Sequence, residues 1–122
     1  MFTIDQDNAI RMSRGDSLYF SVFLNTGTTL QPQRYTLGTG DILYFAVMEP
    51  NQKFENALIK KSYTSEDKKN ENGDTIIEFT PEDTENVISG MYYYTVKLQR
   101  FKDETSYSVD TVIPKRRFII ED

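Results

Sequence analysis

Two adjacent acidic pairs, Glu66-Asp67 and Glu82-Asp83, are the side chains best suited to proton transfer in a chain that holds no His and no Cys. Paired carboxylates cleave glycosides only when they are held across a cleft. Each of these pairs instead lies in a polar stretch, with no further acid, base or aromatic platform near it in sequence. Lacking His removes the group most used for acid–base work near neutrality, and lacking Cys removes disulfides, thiolate nucleophiles and zinc–thiolate sites. Asp67 to Gly73 resembles a calcium loop in composition, but with Gly73 at the sixth place the first ligand would be Lys68 and the twelfth Phe79, where carboxylates are needed. No catalytic residue, metal or cofactor is expected, and the chain reads as a non-enzyme.

Recognition is the remaining chemistry. Arg14-Gly15-Asp16 matches a tripeptide that integrins read, yet Gly15 serves a turn before an apolar stretch, so the match is read as structural. Lys115-Arg116-Arg117 is a small basic cluster of the kind that guards a strand edge against unwanted pairing. A net charge of −5 and a pI near 4.8 argue against nucleic acid or an anionic membrane as partner, because such binding draws on Lys and Arg that neutralise phosphates. The N-terminus carries no signal-peptide pattern, and no apolar run is long enough for a membrane span. The simplest compartment is the cytosol, or a particle assembled there.

The elements that must position these groups are strands. Within Ile88 to Leu98, Tyr92, Tyr94, Val96 and Leu98 alternate with Met91, Tyr93, Thr95 and Lys97, as in a half-buried strand. The preceding Ile88-x-Gly90-x-Tyr92 looks like the corner into strand F of immunoglobulin-like sandwiches, where a Tyr hydroxyl bonds to upstream backbone. Leu18, Phe20, Val22 and Leu24 predict one core face, and Leu43, Phe45 and Val47 another on a strand that is apolar on both sides. Asn72-Gly73 signals a hairpin. Thr80, Pro81 and Asp83 predict a short helix with a capping box before the corner. Phe101 to Thr105 reads as a hairpin loop, and a phase change between Ile113 and Phe118 predicts a bulge near Pro114. With 122 residues, eight Tyr and eight Phe, the chain has one domain's length, residues 1–122, and enough apolar mass for a core. The fold class is all-β: an immunoglobulin-like β-sandwich of about seven antiparallel strands with one short helix before strand F.

On the face opposite the core, Tyr44, Ala46 and Met48 on one strand and Met91 and Tyr93 on its neighbour form an apolar patch where a free-standing sandwich should be polar. Either a loop covers it or another chain does, and these five residues are the candidate interface. A different reading is a carbohydrate- or protein-binding module that uses Tyr35, Phe54 and Phe101 as stacking platforms.

Taken in order, Arg14 to Phe20, Gly40 to Val47, Phe79 to Thr84, Gly90 to Val96 and Thr111 to Ile120 resemble the immunoglobulin-like N-terminal domain of upper baseplate proteins from tailed bacteriophages and prophages. The resemblance covers most of the chain from about Ser13. It implies a structural tail or baseplate component that is made in the bacterial cytoplasm, built into the virion, homo-oligomeric, and partnered by other tail or baseplate proteins. That family continues into segments that hold receptor-binding proteins, whereas this sequence stops at Asp122, so the resemblance speaks to fold more than to role.

Overall fold

The structure, a computed structural model, describes residues 2–4, 8–28 and 30–122. The sequence also predicts a turn at Gln6-Asp7-Asn8 after a first strand near Phe2 to Ile4, and of that turn Gln6 and Asp7 lie outside the described residues. In chain order the strands are β1 (Phe2–Ile4), β2 (Ile10–Ser13), β3 (Leu18–Val22), β4 (Ile42–Met48), β5 (Ile59–Tyr63), β6 (Thr75–Phe79), β7 (Gly90–Asp103) and β8 (Ser106–Glu121), with helix α1 (Pro81–Thr84) before β7. They form a six-stranded sheet in the order β1-β2-β8-β7-β4-β5 and a two-stranded sheet of β3 and β6.

The all-β class follows from the alternation already noted. Leu18, Leu43, Phe45, Val47, Ile77 and Val96 are fully buried, and Phe20 packs against them from the rim. Two details depart from the expectation. Eight strands rather than about seven are formed among the described residues, and one pairing is parallel: β2 lies along β8 with Ile10 beside Phe118 and Met12 beside Ile120. All four side chains are buried, so the parallel register brings both ends of the chain onto the same core.

Local signals account for the corners. The Thr80 N–H donates to Asp83 Oδ2 at 2.7 Å, which closes the first turn of α1, and Lys61 Nζ pairs with the same oxygen at 2.7 Å. Register shifts between Tyr94 and Val96, and again between Val96 and Lys97, mark bulges along the Thr111 to Arg116 stretch of β8. Pro114, with no N–H to give a ladder, sits inside that stretch. The hairpin loop expected from Phe101 to Thr105 is shorter: β7 runs on to Asp103, which faces Ser106, so Phe101 is a strand residue opposite Tyr107. Asp103 Oδ1 accepts from the Thr105 N–H and hydroxyl at 2.9 Å each, which makes the tight turn. Asn72-Gly73 does turn the chain, with Gly73 at φ 86°, but the strands on either side, β5 and β6, belong to different sheets.

At the entry to β7 the Tyr92 hydroxyl donates to the Ile88 carbonyl four residues upstream, as the corner pattern predicts. Tyr92→Phe should cost about 1 kcal/mol, the usual net worth of one such bond. Urea unfolding checks this, and an unchanged midpoint would mean that the bond does not hold the corner.

Candidate interaction surface

Side chains at even positions of β4 and odd positions of β7 point away from the core, and the register sets Tyr44 beside Lys97, Ala46 beside Thr95 and Met48 beside Tyr93. Tyr44, Ala46, Met48, Met91 and Tyr93 therefore share one face of the large sheet. They are not one open patch. Ala46 and Met48 are buried, Tyr44 and Tyr93 are half-buried, and Met91 is 48% exposed.

The covering group is Phe54, carried on a single helical turn, Phe54–Asn56, after β4. Its ring meets Tyr44 edge-on at 5.9 Å, and the ammonium groups of Lys60 and Lys97 lie over it at 4.2 and 4.5 Å. Cations over aromatic faces stabilise such a lid by about 0.5–1 kcal/mol each at exposed sites. Phe54 thus closes the middle of the face as an intramolecular cover. Exposed apolar side chains remain at the two ends of β7. Met91 lies at one end, opposite Ile119, while Phe101, Tyr107 and Val109, at 51, 62 and 51% exposure, lie at the other. The sequence does not reveal this cluster, because its pattern puts Phe101 in a hairpin loop and not on a strand.

The three aromatics considered as stacking platforms do not converge. Phe54 is occupied as described, while Tyr35 and Phe101 meet at Asp41. The Asp41 carboxylate is buried and accepts from the Gly38 N–H at 2.8 Å, the Phe101 N–H at 2.9 Å and the Tyr35 hydroxyl. Gly40, at φ 89°, lets the backbone pass so close that a Cβ there would fall 2.8 Å from the Phe101 side chain. Burial alone would push the Asp41 carboxyl up, but the bonds from Tyr35, Gly38 and Phe101, with the charge of Arg100, together hold it below its ordinary value. Tyr35 is pushed up to about 12, first by burial and then by its bond to Asp41 and that group's charge.

Because the folded state favours the neutral Tyr35 phenol, its contribution to stability is complete below pH about 10, where an unfolded Tyr begins to ionise, and is lost as pH climbs toward 12. Tyr35→Phe should flatten the fall in urea midpoint over that window. An equally steep fall in the variant would place the alkaline loss elsewhere.

Arg14 of the integrin-like tripeptide is tied to its own chain, with its guanidinium on Asp122 and on the Val87 carbonyl, while the Gly15 N–H donates to Thr84 Oγ1 at 2.9 Å. Among the described residues no group of acidic side chains is placed to hold a metal, and no helix is long and apolar enough to cross a membrane. Comparison with protein-family models, with curated proteins and with solved structures finds no match.

Proposed function

We propose that the chain is a non-enzymatic structural component of a phage or prophage tail or baseplate, an immunoglobulin-like sandwich that assembles as a homo-oligomer and with other tail proteins. The observation that carries the interface part of this reading is the exposed apolar side chains at the ends of β7, Met91 alone at one and the cluster of Phe101, Tyr107 and Val109 at the other. Apolar groups grouped on one face favour burial against another chain. The tyrosine corner at Tyr92 and the two-sheet arrangement support the sandwich class. The tail assignment rests on the sequence resemblance.

Immunogold electron microscopy of tailed particles induced from the strain that carries the chain tests it. Label at the tail tip is expected; purified particles free of the protein would overturn the assignment. The runner-up, a binding module, keeps one supporting observation, the exposed cross-strand ring pair Phe101 and Tyr107. A glycan array that responds to the wild type and not to Phe101→Ala would favour it.

A further inference from the structure

The smaller sheet has only two strands, and their outer edges are treated differently. On β6 the N–H groups of Ile76 and Glu78 bond away from β3, to the Lys68 carbonyl at 3.2 Å and the Tyr63 hydroxyl at 3.3 Å. Within an antiparallel ladder the N–H and C=O of one residue point to the same side and those of the next to the other. Thr75, Ile77 and Phe79 must therefore be the residues that bond β3, through Val22, Phe20 and Leu18. The Tyr35 N–H on the Leu24 carbonyl, at 2.8 Å, continues that paired side. It follows that the main-chain groups of Tyr19 and Ser21 point the opposite way, where no strand pairs among the described residues. The β6 edge is covered by its own chain, whereas no strand among the described residues pairs with the β3 edge.

Beside that edge lies a cavity of about 260 Å³ between β3 and the bulged part of β8, lined by residues 20–22 of β3, by Tyr94, Ile113 and Arg116, and by Ile4, Asn8 and Ile10 near the N-terminus. The bulge at Pro114 sets Arg116 opposite Tyr94, a core-facing residue, which turns this one member of the basic cluster inward. Its Nε–H is buried without an acceptor, and no ion pair between described residues engages its guanidinium. A planar guanidinium on an apolar wall is suited to a carboxylate, which it can grip through two parallel bonds.

We propose that the β3 edge is the docking site for an extended segment of a different protein, which adds as a third strand to the β3–β6 sheet. One apolar side chain of that segment enters the cavity, and a carboxylate nearby reaches Arg116. Main-chain bonds to Tyr19 and Ser21 supply affinity, and the cavity with its cation supplies selectivity. The proposal rests on the reading of the chain as an interface protein and specifies the chemistry of one partner.

The probe is a set of synthetic nonapeptides of alternating Thr and Val with a central Ile or Phe and, two positions to either side, Glu or Lys. Fluorescence anisotropy with the full chain should show binding of Glu members. N-methylation of the amides on the pairing edge should abolish it, and Glu-to-Lys exchange in the peptide, or Arg116→Gln in the protein, should each weaken it about tenfold or more. Should Arg116→Gln fail to fold, the peptide exchange reads the same contact. Amides of Tyr19 and Ser21 should exchange rapidly in dilute protein and slow in the complex. No binding by any member, binding indifferent to N-methylation, or protection of those amides in the dilute monomer overturns the site. Protection that grows with protein concentration and no peptide makes a second copy the occupant and overturns the partner assignment. Particles that contain the chain while the peptides fail to bind would sink this site alone, whereas peptide binding by a chain absent from particles would sink only the tail reading.

Discussion

Phe45→Ala is expected to remove about 3–5 kcal/mol of stability, the range for truncating a buried aromatic, out of a total that for a domain of this size is about 5–15 kcal/mol. The Phe45 ring is fully buried, stacks on Tyr94 at 5.3 Å and meets Phe20, Phe79 and Phe118 edge-on at 5.8, 5.6 and 6.4 Å. It is therefore the contact through which β4, β7 and β8 of the large sheet hold β3 and β6 of the small one. Loss of the ring leaves a cavity that four other rings cannot all fill. Urea unfolding measures the effect, with Leu30→Ala, at 93% exposure, as the control that should shift stability by no more than about 0.5 kcal/mol. A loss below about 1 kcal/mol at Phe45 would mean that the two sheets are not joined through this ring.

Asp41→Asn should cost about 3 kcal/mol although it changes one atom. The carboxylate is acceptor to three donors, two of them the backbone N–H groups of Gly38 and Phe101, and Phe101 lies 60 residues from Asp41 in sequence. An amide must turn its own N–H₂ toward one of those donors, leaving a buried group unpaired. Acid adds a second signature. Since the folded Asp41 titrates below its ordinary value, its contribution is complete above the unfolded carboxylate range and is lost as pH falls through the lower folded value. The wild type should thus lose stability more steeply than the variant below pH about 4, read as urea midpoint against pH. Parallel acid limbs would show that other carboxylates govern the loss.

What the sequence announced was mainly local. Leu43, Phe45 and Val47 alternate, so their face was legible. The Tyr92 corner, the Thr80-Pro81-Asp83 helix start and the Pro114 bulge each depend on neighbours within a few positions, and each is found where the pattern put it. Long-range packing was not legible. Nothing in Phe54-Glu55-Asn56 tells that Phe54 folds back beside Tyr44 while Ala46 and Met48 are buried, and for that reason five residues that share a face are not one exposed patch. Asn72-Gly73 does close a short antiparallel reversal, with Lys69 bridged to Thr75, but a turn dipeptide does not specify which sheet the next strand joins. Arg116 looked like one of three solvated cations; only the register of the bulge turns it toward the core side.

Light scattering coupled to size-exclusion chromatography tests the claim that surfaces do the work here. The wild type should elute at a multiple of its 14.2 kDa chain mass. A Met91→Lys and Tyr93→Lys double variant, with an unchanged far-ultraviolet spectrum, should elute as the single chain. A wild type that stays at 14.2 kDa at every concentration, or an assembly untouched by both lysines, would contradict the account.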